Sequence, residues 1–311
     1  MVRLRALELA DLEQVVAIHN ADPVLYKVSV EQFVDDFATL PPHLAHRFTV
    51  AESEGEVVGW VDLQNDAGAY HPQKFMLHLS VPASHRRRGI GGALFQAALD
   101  QARALDGLSM RVQVREDDAG SLAFARTRGF EVTKTDFAST LDLASFSWPE
   151  VALPRGVRIG MLAEVDSPEV RRAMHDAFSV IRLDTPRSEP PTPISFEFFD
   201  EHIAGNKDLL PLATPLALVG DTVVGFTGCF RTEDTGVAEQ WLTGVRREHR
   251  GQGLALALKV ACISALKGQG YSKLMTDNDT RNAPMLAVNT KLGFVRGQAV
   301  HSMALQLEAG G

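Results

Sequence analysis

Two short runs of arginine and glycine carry the clearest chemistry in this sequence. In the first, Arg86, Arg87, Arg88, Gly89, Ile90, Gly91 and Gly92 follow an apolar stretch and lead into residues with helical spacing. In the second, Arg250, Gly251, Gln252, Gly253, Leu254 and Ala255 do the same, with Arg246 and Arg247 just upstream. Both read Arg-x-x-Gly-x-Gly/Ala. Glycine lets a backbone approach a ligand with no Cβ in the way. The free N–H groups and the dipole at a helix start favour an anion there, and the arginines add forked donors suited to phosphate. Each run therefore reads as a pyrophosphate cradle. The bland alternative, a glycine turn with solvated arginines, loses weight because the pattern occurs twice in equivalent places. A Rossmann dinucleotide site fits poorly, since the preceding strands run as a meander and no acidic residue is evident about 20 positions on.

The elements that must position these runs also occur twice. Val58-Gly59-Trp60 returns as Val224-Gly225-Phe226, 166 residues later, and the glycines of the two runs and of Gly129-Phe130 and Gly293-Phe294 return after 164. Val2-Arg3-Leu4 returns as Val157-Arg158-Ile159 after only 155, the difference falling in the Pro-rich stretch Asp184–Pro193 of the second copy. The chain reads as a tandem duplication: residues 1–147 form one domain and 156–311 another, joined near Ser145–Arg155, where Trp148-Pro149 and Leu153-Pro154 disfavour helix. Copy one is predicted to run strand (Val2–Ala6), helix from N-cap Asp11 (Leu12–His19), three antiparallel strands (48–51, 57–63, 75–81), a long helix from Ile90, strand 108–114 and a short helix 121–127. Copy two repeats it with strands at 216–218, 223–229, 241–245 and 274–276 and a helix at 254–266. The fold class is α/β (α+β): mixed, mostly antiparallel sheets flanked by helices.

Composition narrows the partners. A chain of 311 residues, 45% hydrophobic and 23% charged, is long enough for two cores. Its net charge of −8 argues against nucleic acid and anionic membranes, which need a basic face. Cys229 and Cys262 lack C-x-x-C spacing, so neither a disulfide framework nor a metal site is expected. The start has no signal-peptide core and no stretch is apolar enough to span a bilayer, so the expected location is cytoplasmic.

Arg-x-x-Gly-x-Gly/Ala at a strand-to-helix junction, followed by a strand, a short helix and Gly-Phe, resembles the GNAT superfamily of acyl-CoA-dependent N-acetyltransferases. The resemblance covers nearly the whole chain and is closer in copy two. It implies acetyl-CoA as co-substrate, its pyrophosphate held by the backbone N–H groups of both runs. It also implies a pantetheine arm paired with the main chain of the preceding strand, at Thr243 and Val245 in copy two and Leu79 and Val81 in copy one. Asn282 and Asn289 on the last helix are further implied coenzyme contacts; copy one has Asp118 in place of Asn282.

Many members of the family hold a glutamate fourteen residues before the first motif glycine. Glu239 stands there in copy two and Phe75 in copy one. A half-buried carboxylate has a raised pKa and suits a base near neutral pH, so Glu239 is the expected catalytic residue. The family's thiolate-protonating tyrosine is missing: Ala125 and Asn289 occupy that spacing, and Tyr26, Tyr70 and Tyr271 lie elsewhere. His71 and His78 precede the copy-one run and read better as structural than as catalytic. The acceptor is expected over Asp22–Leu44 and Val180–Ile203, where Asp184, Glu189, Glu197, Asp200 and Glu201 would attract a cationic amine. The expected activity is direct acetyl transfer to a primary amine of a small molecule or peptide, by a monomer or homodimer. The alternatives are a mycothiol-synthase-like acetyltransferase and a non-catalytic acyl-CoA sensor.

Overall fold

The computed structural model describes residues 2–21, 27–38, 41, 43–186 and 191–307. The chain forms β1 (Arg3–Ala6), α1 (Leu12–Asn20), α2 (Val30–Ala38), β2 (His46–Ser53), β3 (Glu56–Asn65), β4 (Lys74–Ser80), α3 (Ile90–Ala104), β5 (Ser109–Arg115), α4 (Ala119–Arg126) and β6 (Glu131–Asp142). It continues with β7 (Val157–Met161), α5 (Leu162–Val165), α6 (Pro168–Ile181), α7 (Phe196–Phe199), β8 (Pro215–Val219), β9 (Thr222–Arg231), β10 (Val237–Val245), α8 (Leu254–Gly268), β11 (Lys273–Asp279), α9 (Ala283–Leu292) and β12 (Val295–Gln306).

Two compact units result, Met1–Thr135 with Val300–Gly311, and Asp136–Ala299. The first has strand order β1-β2-β3-β4-β5-β12 and the second β7-β8-β9-β10-β11-β6, so each unit takes a closing strand from the other copy of the repeat. The spatial boundary thus differs from the sequence boundary between 147 and 156. In each unit one pair is parallel, β4 with β5 and β10 with β11. The other pairs in these two orders, from β1 with β2 to β6 with β11, are antiparallel.

In the first unit α3 lays Leu94, Ala98 and Ala102 on one face of the sheet, while Val15 and Val16 of α1 cover Trp60 on the other. In the second, Ser167 caps α6 by accepting from the Val170 N–H at 3.2 Å, Pro168 supplies a preset φ, and Met174, Ala177, Phe178 and Ile181 form its buried stripe. On the opposite face α8 buries Leu258, Cys262 and Leu266. β9 lies between these layers, and Val223 through Cys229 are all buried. Each large side chain so covered contributes about 1.5–3 kcal/mol.

Three local readings need correction. Asp11 sits at the start of α1 but does not cap it; its carboxylate accepts from Arg5 and from the Glu8 N–H instead. β10 begins at Val237, four residues before the reading from apolar residues, so Glu239 lies inside the strand. The closing strands β6 and β12 lie where the sequence reading assigns no element; in β6, buried Phe137, Ser139 and Leu141 alternate with less buried neighbours.

Candidate active site

The site is built where β10 and β11 part. Their parallel ladder has three rungs, Val237 with Lys273, Ala238 with Leu274 and Glu239 with Met275. Glu239 is therefore the last paired residue before the strands diverge. Across the other edge it faces Phe230 of β9. One position further the register shifts: Gln240 pairs with Cys229, Leu242 pairs with Gly228, and Trp241 is the extra residue of a β-bulge. Two consecutive side chains on the bulged strand crowd one position opposite, and that position is a glycine. Trp241 stacks on Phe178 of α6 and meets Phe230 edge-on, yet stays 44% exposed. It shares the α6 face of the sheet with Glu239.

Burial, and next the negative charge of Asp277 on β11, push the Glu239 pKa above its ordinary value. Such a carboxylate takes up a proton more readily than a solvated one. The four residues after the bulge lead to the cradle. Gly244 lies directly beneath Ile181, with no room for a Cβ, which fixes the end of α6 against this half of β10.

The cradle has the conformation that an anion needs. Gly251 and Gly253 are left-handed, at φ +74° and +78°, and a Cβ at either would meet nothing within 4 Å. Arg250 donates from Nε to the Val245 carbonyl at 2.9 Å, tying the loop to the strand end. Gly253 caps α8, and Leu254 and Ala255 begin its first turn, so their N–H groups have no partner within the helix. A cleft of about 310 Å³ beside it is lined by Ile181, Leu183, Asp184, Arg246, Arg247 and Arg250 among others. Asp184 enters from the segment after α6 and binds both arginines, Arg247 through Nε at 2.8 Å and Arg250 through Nη2 at 2.6 Å. These bonds hold its carboxyl far below the usual carboxylate range. The loop thus fits a diphosphate such as that of coenzyme A, and Asp184 occupies Arg247 and Arg250 beside it.

The first unit builds the same loop on a plainer strand. Arg86 Nε reaches the Val81 carbonyl at 2.9 Å, Gly89 stands at φ +84°, and Arg87 takes the left-handed place of Gly251 at φ +63°, a strain of about 1 kcal/mol for a residue with a Cβ. Arg88 is exposed, Ile90 is buried, Gly91 lies against Phe124, and Gly92 lies near the Arg128 guanidinium. Its β3–β4 ladder, from Trp60 with Ser80 to Asn65 with Phe75, runs without a bulge. Because β10 has one residue more, the position matching Glu239 is Met76, which pairs with Gln64 and Arg111, and not Phe75, which is buried one step earlier. Neither residue is a base. Leu79 pairs with Val61 near the strand end.

Of the remaining expectations, Thr243 and Val245 lie on β10 after the bulge, and Thr243 Oγ1 bonds Thr227 Oγ1 at 3.0 Å. Asn282 caps α9, its Oδ1 accepting from the Met285 N–H at 3.4 Å; Asp118 caps α4 in the same way with Ser121. Asn289 is buried, and its amide donates to Asn278 Oδ1 at 2.5 Å, so it serves a polar network that extends to Ser139 of β6. His71 accepts from the Gln73 N–H in a turn, and His78 pairs opposite Asp62 on β3. Glu189 and residues 22–26 lie outside the described residues. No group of three or more His, Cys, Asp or Glu able to hold a metal occurs among the described residues, and no described helix is long and apolar enough to cross a membrane.

Comparison with known proteins agrees with this geometry. The Acetyltransferase (GNAT) family model matches residues 12–130 and 172–294, once in each copy. The mycothiol acetyltransferase of Saccharopolyspora erythraea is 27% identical over 95% of this chain and 97% of its own. That of Amycolatopsis mediterranei is 29% identical over 79% and 80%. Among solved structures, a tandem GNAT protein from the clavulanic acid biosynthesis pathway superposes with a TM-score of 0.75 at 23% identity, covering 100% of this chain and 99% of that one. A GCN5-related N-acetyltransferase from Sphaerobacter thermophilus gives 0.74 at 20% identity, covering 99% and 96%. With a cradle in each copy and a family match over each, the chain belongs to the GNAT family of N-acetyltransferases.

Proposed function

We propose that the second unit is the working acetyltransferase, that it uses acetyl-CoA, and that Glu239 is its base. The observation that carries this reading is the convergence, in one unit, of a raised-pKa carboxylate at the last rung before the strands part, a bulge beside it, and a left-handed glycine cradle at the helix that follows. Acetyl-CoA supplies the acetyl group as a thioester. The cradle N–H groups of Gly251 to Ala255 hold its pyrophosphate, and Thr243 and Val245 offer main chain to the pantetheine arm. Glu239 accepts the proton that the amine must lose, directly or through water. The amine nitrogen bonds the acetyl carbon, the C–S bond breaks, and the electron pair leaves on sulfur. Asn289, an amide, has no acidic proton to return to it.

The first unit keeps a cradle without a base or a bulge, which supports coenzyme binding with little turnover there. The names of the relatives favour a small-molecule acceptor related to mycothiol over a peptide. Thiol release from acetyl-CoA, screened against a mycothiol precursor amine, polyamines, aminoglycosides, amino acids and peptide N-termini, tests the reading. Release with one amine class supports it, and binding of acetyl-CoA with no release for any amine would favour a sensor.

A further inference from the structure

Gln240, the residue just before the bulge, turns its side chain away from Glu239 and into the α8 layer, where it is 1% exposed. There its Oε1 accepts from Nζ of Lys259, itself 1% exposed near the middle of α8. Lys259 also lies 5.2 Å over the ring of Phe294, just beyond the end of α9. The Gln240 carbonyl accepts from Thr276 Oγ1 of β11 at 2.9 Å, across the opening between the two strands. One residue is thus held from α8 by its side chain and from β11 by its main chain. A lysine buried among apolar neighbours is costly, and burial drives its pKa down to about 7.

The repeat supplies an internal control. Cys229 corresponds to Leu63, whose partner on β4 is Leu77, and Lys259 corresponds to Phe95 on α3. Leu77 and Phe95 both belong to the apolar core of the first unit. Where the pair is Leu and Phe the strand is straight; where it is Gln and Lys the strand is bulged. The polar pair and the bulge occur together.

Resting on the assignment of the second unit as the working one, we infer that Lys259 and Gln240 are positioning residues whose buried bond holds the β10 bulge and so sets the geometry of acetyl transfer. A side chain that must reach Nζ fixes the orientation of residue 240, and the extra residue is then forced out at 241 toward α6. With an apolar pair residue 240 needs only to be buried and no bond fixes its position along the strand, so the strand returns to even pairing as in the first unit.

The test transplants the first unit's pair as Gln240→Leu with Lys259→Phe, a change that leaves no buried group unpartnered. The crystal structure of the variant is expected to show β9 and β10 in register without a bulge. The kcat for acetyl transfer is expected to fall about 10²-fold, the cost of displacing reacting groups by about 1 Å. The Kd for acetyl-CoA, read by calorimetry, should stay within about threefold, because the cradle is untouched. Lys259→Met alone, which leaves the Gln240 amide without its donor, is a second variant read in the same two ways if the double one does not fold. A persisting bulge overturns the inference whatever the rate. A straight strand with the original kcat overturns its catalytic part. The register is read without any acceptor, so failure of the acetyltransferase assignment, seen as no turnover in the unaltered protein, stays distinct from failure of this one.

Discussion

Glu239 and Met275 form the last rung of the parallel ladder between β10 and β11, and beyond them the strands separate. The backbone of Glu239 is therefore paired on both edges, with Met275 of β11 and Phe230 of β9, and its side chain is half-buried. In the role proposed for Glu239, a base on so fixed a backbone meets its substrate with little reorganisation.

Replacing Glu239 with Gln is expected to lower kcat/KM by about 10²–10⁴, the usual contribution of a positioned base. Burial and Asp277 both raise the Glu239 pKa, so activity in the native protein should fall on the acid side at a pH above the ordinary glutamate range. Asp277→Asn removes one of the two causes, and the acid limb should move to lower pH. A pH–rate profile of each variant checks both statements; an acid limb that stays put in Asp277→Asn and persists in Glu239→Gln belongs to another group.

Asp184 is bonded to Arg247 and Arg250 beside the cradle, and under the proposed function it competes with the coenzyme for them. These pairs are solvent-screened and weak, so Asp184→Asn should tighten acetyl-CoA binding only modestly, roughly two- to fivefold. Calorimetry at low and moderate salt reads it. Weaker binding in the variant would mean that Asp184 orients Arg247 and Arg250 for the coenzyme and does not oppose it.

Lys259 makes stability depend on pH. Its pKa is depressed in the folded state, to about 7 from an ordinary 10.5, so above pH 7 the unfolded chain binds the extra proton. Stability must then rise with pH by up to about 1.4 kcal/mol per unit from this group. Between about pH 7 and 8.5, denaturant unfolding should show this slope in the native protein and lose it in Lys259→Met. Equal slopes would place the ammonium in a better solvated site.

Much of the architecture was legible because glycines and arginines mark it. The two cradles, the long helices and the central strands follow from residue types that tolerate few alternatives. The bulge was not legible. Counting back from Gly253 and Gly89 matches Glu239 with Phe75, whereas the ladders match it with Met76, because an inserted ladder residue leaves no signature in a single count. Glu239 and Gln240 also interrupt the apolar run of β10, which hid the start of the strand. The polarity of Gln240 has a reason visible only in three dimensions, its bond to Lys259 inside the α8 layer, while Glu239 next to it is half-buried. The closing strands were hidden for a different reason: each pairs within a compact unit built mainly from the other copy.

Separate disruption of the two cradles tests most directly which unit performs acetyl transfer. Gly89 and Gly253 share a left-handed conformation that a β-branched residue adopts only with strain. Acetyl transfer at saturating acceptor should be nearly abolished by Gly253→Val and largely kept by Gly89→Val, with both variants folded by circular dichroism. Loss of turnover in Gly89→Val together with native rates in Gly253→Val would contradict the account and assign the reaction to the first unit.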